Sequence, residues 1–116
     1  SELNQVVLNL LVNAADAIHE NIEKGHIKKG VIIINTSREE YYAVITVSDN
    51  GGGIPENIRD KIFNPFFTTK EVGKGTGQGL ALSFSIIHEK HGGTLSYETK
   101  MGEGTTFIIK LPFEDD

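Results

Sequence analysis

The sequence predicts an α/β sandwich, in which a mixed, largely antiparallel β-sheet is covered on one face by helices. Two observations lead to this fold class. Segments with helical periodicity alternate with strand-like segments in the order helix, two strands, loop, helix, two strands. Within each pair, the strand-like segments are joined by a short turn, which is typical of antiparallel hairpins.

Size and composition limit the protein to a few classes. The chain has 116 residues, of which 38% are hydrophobic, and this predicts one domain over residues 1–116. It has no cysteine, which excludes disulfides and thiolate metal sites and fits a reducing, cytoplasmic compartment. The net charge of −5 argues against nucleic-acid binding. No apolar run reaches the ~20 residues of a membrane span, so we expect no direct membrane contact by this domain.

The first element is predicted as an amphipathic helix over residues 3–20. Its apolar residues recur at three- and four-residue steps, as on one face of a helix; they are Val6, Val7, Leu10, Leu11, Ala14, Ala17 and Ile18. Because this helix is apolar from its third residue, we expect the chain to be truncated at its N-terminus. The parent protein could then be anchored in a membrane.

A hairpin is predicted to follow this helix. Residues 31–36 and 42–48 are rich in β-branched and aromatic residues and are joined by a turn at residues 38–40. Residues 49–55, DNGGGIP, cannot continue a central strand, and a short helix is expected over residues 56–62.

The second half begins with a segment rich in Gly, Thr and Lys at residues 63–79, which predicts a functional loop such as a lid. A second helix is expected over residues 80–90, with these side chains mostly inward: Leu80, Leu82, Phe84, Ile86 and Ile87. Two further strands are expected over residues 94–99 and 105–111, joined by a turn at residues 101–104.

The stretch GKGTGQG at residues 73–79 alternates glycine with other residues just before the second helix. Backbone amides there can approach an anion closely, and a helix N-terminus adds its positive dipole end. A phosphate group is one ligand expected to bind there. A merely flexible loop is the alternative, because the stretch matches neither the dinucleotide fingerprint nor the P-loop.

Asp49 is a carboxylate at the end of an apolar strand, and three glycines follow within four residues. It could accept a hydrogen bond from the exocyclic amine of adenine. Guanine presents a carbonyl at that position and would leave an acceptor unpaired. The same residues would also suit an ordinary Asp-Asn-Gly turn.

Asn9 and Asn13 are four residues apart on the first helix and are flanked by core residues. Two amides on an otherwise apolar stripe cost desolvation energy unless a partner satisfies them. An amide oxygen can ligate Mg²⁺, which commonly bridges protein side chains and nucleotide phosphates. Hydrogen bonds to a neighbouring loop are the alternative.

Taken together, five segments resemble the ATP-binding catalytic domain of sensor histidine kinases, within the GHKL superfamily that also contains type II topoisomerase, MutL and ninety-kilodalton heat-shock ATPases. They resemble, in order, the N box (QVVLNLLVNAADAI, 5–18), the G1 box (DNGGGIP, 49–55), the F box (IFNPFFTTK, 62–70), the G2 box (GKGTGQGLALS, 73–83) and the last box (GEGTTFIIKLP, 102–112). The resemblance implies a Bergerat-type ATP-binding fold, ATP and Mg²⁺ as ligands, and an ATP lid at about residues 63–79.

The resemblance also implies roles for the matching residues. Asn13 corresponds to the family's Mg²⁺ ligand and Asn9 to a second polar position near the phosphates, and these are the two expected catalytic residues. Asp49 is expected to bind the adenine amine, with Gly53 and Thr105 in a water-linked contact. The nucleotide-contacting residues implied in this way are Asp49, Gly51, Gly53, Lys70, Lys74, Gly75, Thr76, Gly77, Gly79, Leu80 and Thr105.

Asn9 separates two reaction classes. The superfamily's ATPases carry Glu at this position, where it activates water, whereas an amide has no basic lone pair at neutral pH. The resemblance therefore implies a histidine kinase, in which the neutral imidazole of the acceptor is itself the nucleophile. The alternatives are an ATPase of the gyrase or MutL kind, a non-catalytic nucleotide-sensing module and a protein serine kinase.

The chain departs from the family pattern, and two of the departures affect the expected function. Asp16 stands where many members carry a Lys or Arg that reaches the phosphates, so Lys70 or Lys74 would have to supply that charge. The dimerisation helices with their phosphoacceptor histidine lie outside residues 1–116, and His19 and His26 are expected in or near a solvated loop. The expected partners are thus a histidine-bearing dimerisation domain of the parent kinase and, through the parent, a response regulator.

Overall fold

The elements follow the predicted order over the residues that the computed structural model describes, 2–64 and 79–113. Their ends differ from the predicted ones by a few residues, and the short helix after β2 has 3₁₀ geometry. The bounds are α1 Glu2–Glu23, β1 Ile32–Arg38, β2 Tyr42–Asp49, a 3₁₀ segment Glu56–Lys61, α2 Gly79–Ser85 continued by a π-helical turn Ile86–Lys90, β3 Thr94–Lys100 and β4 Gly104–Pro112.

The four strands form one sheet in the order β1-β2-β4-β3. Each neighbouring pair of described strands is antiparallel, so the predicted mixed character of the sheet is not found in this part of the chain. The register pairs Asp49 with Thr105, and Val47 with Phe107. Strand β4 therefore lies in the interior of the described sheet, between β2 and β3.

The core lies between one sheet face and the helices, which confirms the predicted α/β sandwich. Alternation along the strands brings Val47, Phe107 and Leu95 to the same face. The helical period supplies the opposite layer, because α1 buries Val6, Leu10 and Ala14 at four-residue steps. The remaining buried members of this cluster are Ile62, Ile86, Ile87 and Ile109.

The inward face of α2 differs from the prediction at one position. Leu82 is 46% exposed, whereas Ser83 is fully buried at 0%. The reason is geometric, because residues two apart on a helix do not share a face, whereas Leu80, Ser83 and Ile87 recur at three- and four-residue steps. The π-helical turn at the end of α2 then buries Ile86 beside Ile87.

Strand β1 is exposed at all seven residues, including the three isoleucines at positions 32–34. It is an edge strand of the described sheet, and α1 lies mainly against its neighbour β2. Its composition thus predicts strand formation but not burial.

No helix in the two described ranges combines the length and the apolar character that crossing a bilayer requires.

Two leucines on α1 test the assignment of its buried face. Leu10 is 0% exposed and Leu8 is 57% exposed. We expect Leu10→Ala to lower the free energy of unfolding by about 2–5 kcal/mol, since it removes buried methyl groups and leaves a cavity. Urea denaturation of the 116-residue chain measures this. The matched variant Leu8→Ala should change it by no more than about 0.5 kcal/mol, and equal losses for both variants would contradict this packing.

Candidate functional site

A cavity of about 700 Å³ lies between α1, the ends of β2 and β4, and the first turn of α2. This volume suits a small-molecule ligand. Both polar and apolar residues line it. The described lining residues are Asn9, Val12, Asn13, Asp16, Ala17, Glu20, Asn21, Lys24, His26, Asp49, Gly52, Gly53, Ile54, Pro55, Ile58, Ile62, Gly79, Leu80, Met101, Gly102, Thr105 and Phe107.

Asp49 lines the cavity at the last position of β2. Its Oδ1 accepts a hydrogen bond of 2.9 Å from the backbone N–H of Gly51. Burial raises the pKa of the Asp49 carboxyl above its ordinary value, and backbone hydrogen bonds from Gly51 and Thr105 oppose this shift in part. The carboxylate is therefore held in a fixed orientation, in a setting that penalises its charge.

The glycines after Asp49 let another turn approach closely. Gly53 has a φ of +86°, and a Cβ atom there would come within 2.8 Å of the Lys100 carbonyl oxygen. The backbone N–H of Gly102 donates a hydrogen bond of 3.0 Å to the Gly52 carbonyl oxygen. The turn between β3 and β4 is thereby fixed against the G1 segment, where it brings Met101 into the cavity wall.

Thr105 is 6% exposed and belongs to a chain of hydroxyl hydrogen bonds. The Oγ1 atoms of Thr99 and Thr105 are 2.9 Å apart. Thr99 Oγ1 also donates to the Gly104 carbonyl oxygen at 3.2 Å and accepts from the Ile54 N–H at 2.9 Å. These bonds hold the Thr105 hydroxyl next to Thr99, at the edge of the cavity that Thr105 lines.

The two amides of α1 lie in the cavity wall, one helical turn apart. Asn9 Nδ2 donates to Ser83 Oγ at 3.2 Å and to the Gly79 carbonyl oxygen at 3.4 Å. Asn13 differs, because its Nδ2 atom is buried and has no hydrogen-bond partner among the described residues. A buried polar atom without a hydrogen-bond partner is costly to stability, so this part of α1 carries a cost that the rest of the fold must offset.

Seven of the residues predicted to form the site come together around this cavity: Asn9, Asn13, Asp49, Gly53, Gly79, Leu80 and Thr105. Gly51 does not line it. Its hydrogen bond to Asp49 and the 2.8 Å separation between its ideal Cβ position and the Ala17 Cβ atom make it a packing residue instead. The predicted contacts Lys70, Lys74, Gly75, Thr76 and Gly77, and most of the predicted lid at 63–79, lie outside the described residues.

Several lining residues were not predicted. His26 is exposed, as expected for a loop, but it lines the cavity and its Nδ1 is 3.1 Å from Oδ1 of the buried Asn21. Asp16 lines the cavity as well. Positions at three- and four-residue steps from Asn9 lead through Asp16 to Lys24 and therefore lie on one face of α1. This spacing could have extended the predicted site along the helix. Met101 carries no such signal, because only the pairing of β3 with β4 brings it there.

Comparison with known proteins gives a consistent result. The family described as histidine kinase-, DNA gyrase B-, and HSP90-like ATPase matches residues 1–115. Over 96% of its length the chain is 42% identical to the sensor kinase CckA of Brucella abortus, and over its full length it is 37% identical to sporulation kinase C of Bacillus subtilis. The chain spans 12% and 24% of those two proteins.

Solved structures agree with the sequence comparison. The catalytic domain of the histidine kinase ThkA, in a nucleotide-free form, has a TM-score of 0.74 and is 34% identical, covering 96% of this chain and 67% of that one. The mycobacterial sensor histidine kinase MprB has a TM-score of 0.77 at 30% identity, covering 97% of this chain and 70% of that one. The chain belongs to the histidine kinase-, DNA gyrase B-, and HSP90-like ATPase family, and within it this is an ATP-binding catalytic domain of the sensor histidine kinase type.

Proposed function

We propose that this domain binds Mg²⁺-ATP and donates the γ-phosphoryl group to a histidine on a separate dimerisation domain of its parent kinase. The observation that carries the proposal is that Asp49 and the Asn9–Asn13 face of α1 line one cavity. The carboxylate suits the amine of a nucleotide base, and the pair of amides suits its phosphates and their Mg²⁺. The two ends of one nucleotide could therefore be bound in the same cavity.

Asp49 is the proposed adenine anchor. Its orientation is fixed by the Gly51 amide, so the carboxylate can accept a hydrogen bond from the exocyclic amine without first losing rotamer freedom. A guanine carbonyl at the same point would confront the carboxylate acceptor-to-acceptor, which favours ATP over GTP. Gly53 and Thr105 would complete this end through a bound water molecule.

Asn13 and Asn9 are the proposed Mg²⁺ and phosphate residues. Asn13 lines the cavity, and its amide oxygen is the atom that would ligate Mg²⁺. Amide oxygens are hard ligands of the kind that Mg²⁺ accepts. When bound, Mg²⁺ would neutralise charge on the β- and γ-phosphates. Lys70 and Lys74 are further proposed phosphate contacts.

The reaction assigned to the site is phosphoryl transfer rather than hydrolysis. A neutral imidazole nitrogen of the acceptor would form the new N–P bond while the bond between the γ-phosphorus and the bridging oxygen breaks, releasing ADP. Asn9 lines the cavity where the superfamily's ATPases are expected to carry a Glu base, and its amide cannot take a proton from water. The domain would therefore position the nucleotide and leave the nucleophile to its partner.

The relatives support a proposal about the wider setting of this domain. CckA is named as a sensor kinase and ZraS of Escherichia coli as a sensor histidine kinase, and this chain covers 12% and 21% of their lengths. We propose that the parent has the same general design, with a response regulator as its next phosphoryl acceptor. We further propose a cytoplasmic location for this domain, where ATP is available, whether or not the parent is anchored in a membrane.

Asp49→Asn tests the adenine anchor. We expect adenosine and ATP affinity to fall about 10- to 100-fold, because a charge-assisted hydrogen bond is lost. Isothermal titration calorimetry measures both ligands. The matched control is Asp60→Asn, which changes an exposed carboxylate in the 3₁₀ segment and should leave both affinities unchanged. Unchanged affinity in Asp49→Asn would refute the assignment.

The same variant makes a prediction about pH and stability. Because burial raises the pKa of Asp49 in the folded state, folding at neutral pH carries the cost of a buried charge. Asp49→Asn should therefore be more stable than the wild-type protein at pH 7. The advantage should shrink as the pH falls through the raised pKa and should reach its minimum below the ordinary aspartate pKa of about 3.9. Thermal unfolding over this pH series measures it, and a difference that grows on acidification would contradict the burial argument.

Asn13→Ala tests the metal-binding role. We expect ATP affinity in the presence of Mg²⁺ to fall to about the Mg²⁺-free value of the wild-type protein, since the variant lacks the amide ligand. Adenosine affinity should not change, because adenosine has no phosphate. Titrations with and without Mg²⁺ give both quantities, and Asn57→Ala, an exposed amide in the 3₁₀ segment, serves as the control. If Mg²⁺ raised the ATP affinity of Asn13→Ala as much as it raises that of the wild-type protein, Asn13 would be excluded as a Mg²⁺ ligand.

Phosphotransfer itself is tested by mixing this domain and radiolabelled ATP with a histidine-bearing dimerisation domain from a sensor kinase. We expect label on the added domain that is stable to alkali and lost in acid. The domain alone should hydrolyse ATP at no more than the background rate. Rapid hydrolysis without the acceptor would favour the ATPase alternative, and nucleotide binding with no transfer to any histidine would favour a sensing module.

A further inference from the structure

Ser83 is a fully buried hydroxyl next to the site, and no nucleotide role has been assigned to it. It is 0% exposed and lies on α2, one turn after Gly79. Its Oγ donates a hydrogen bond of 2.8 Å to the Gly79 carbonyl oxygen. It also accepts a hydrogen bond of 3.2 Å from Asn9 Nδ2 on α1. Ser83 thus joins the two helices that border the cavity.

This pair of hydrogen bonds determines which way the Asn9 amide faces. The hydroxyl hydrogen of Ser83 is used on Gly79, so only lone pairs remain on the side that meets Asn9. The Gly79 carbonyl oxygen, 3.4 Å from Asn9 Nδ2, is also an acceptor. Two acceptors together require the NH₂ end of the amide, and the reversed orientation would bring its oxygen against both of them. Asn9 Oδ1 is therefore turned away from α2.

We propose that Ser83 is a positioning residue that holds the Asn9 amide with its oxygen facing the cavity, where that oxygen favours nucleotide carrying Mg²⁺ over free nucleotide. The inference rests on the proposed function, because it gives a role to Asn9 at the phosphate end. An amide oxygen repels phosphate oxygens and attracts a cation between them. Ser83 does not touch the nucleotide in this proposal and acts through Asn9 alone.

The experiment measures the ATP dissociation constant of each variant with and without Mg²⁺. The constant without Mg²⁺ divided by the constant with Mg²⁺ is the Mg²⁺ advantage of that variant. In Ser83→Ala we expect this Mg²⁺ advantage to fall about 3- to 10-fold, the size expected when one hydrogen bond that orients a ligand is lost. Adenosine affinity should equal that of the wild-type protein. The matched control is Ser85→Ala, which removes a hydroxyl of the same helix that bonds Glu89 Oε2 at the surface, 2.9 Å away.

A double-mutant cycle separates positioning from general structural support. If Ser83 acts through Asn9, adding Ser83→Ala to Asn9→Ala should leave the Mg²⁺ advantage of the single Asn9→Ala variant unchanged. A purely structural serine would lower thermal stability in both backgrounds and would not move the ratio. Side-chain amide NMR gives a readout without nucleotide, since the Asn9 NH₂ protons should exchange faster with water in Ser83→Ala.

Each outcome has a definite meaning. The positioning role would be overturned if Ser83→Ala kept the Mg²⁺ advantage of the wild-type protein. It would also be overturned if the adenosine affinity of Ser83→Ala fell as much as its Mg²⁺ advantage. Should Ser83→Ala not fold, Ser83→Cys replaces it, since a thiol of similar size is a weak donor and acceptor and should give an intermediate ratio. A wild-type ratio in Ser83→Cys would also count against the proposal. If the wild-type protein itself showed no Mg²⁺ advantage or no adenosine binding, the proposed function would fail, which is a distinguishable result.

Discussion

The pairing of β2 with β4 is the constraint on which the rest of the site depends. It brings Asp49 opposite Thr105, two residues that are far apart in the chain, at the end of the sheet that opens into the cavity. The approach is close enough to require glycine at position 104, where φ is +129° and an ideal Cβ atom would be 2.0 Å from the Asp49 carbonyl oxygen. Because the Thr105 amide can then support the Asp49 carboxyl, strand pairing and ligand recognition are parts of one arrangement.

The site is built from groups that lower stability. A half-buried carboxyl with a raised pKa and a buried amide nitrogen with no partner among the described residues both oppose folding. The apolar layer of Val6, Leu10 and Ala14 on the neighbouring face of the same helix offsets this cost. Helix α1 thus carries two faces, one that packs on the sheet and one that stays polar for a ligand. Such local conflict with the core pattern is typical of functional positions.

Different kinds of structure support the two ends of the cavity. The proposed base end rests on the sheet and on the β3–β4 turn, which a hydrogen bond from the Gly102 N–H to the Gly52 carbonyl oxygen keeps in place. The proposed phosphate end rests on a contact between helices, in which Asn9 donates hydrogen bonds to Ser83 and Gly79. Gly79 is the last residue of the segment 63–79 that the sequence predicts as the lid. A side-chain contact between two helices can rearrange at lower cost than a strand ladder, so adjustment during a reaction cycle is expected at this end.

Local signals in the sequence determined the element order and the sandwich class, because helical periodicity, β-branched runs and glycine turns act over a few residues. They also pointed to several of the residues that line the cavity. Asn9, Asn13 and Asp49 could be chosen in this way, since a polar group on an apolar stripe or at a strand end conflicts with its surroundings. Tertiary structure alone decided that β1 is an exposed edge, that Ser83 rather than Leu82 is buried, and that His26 and Met101 reach the cavity. The physical reason is that burial and cavity walls depend on which elements become neighbours in space, and that choice is made by the long-range pairing of strands and the packing of helices across them.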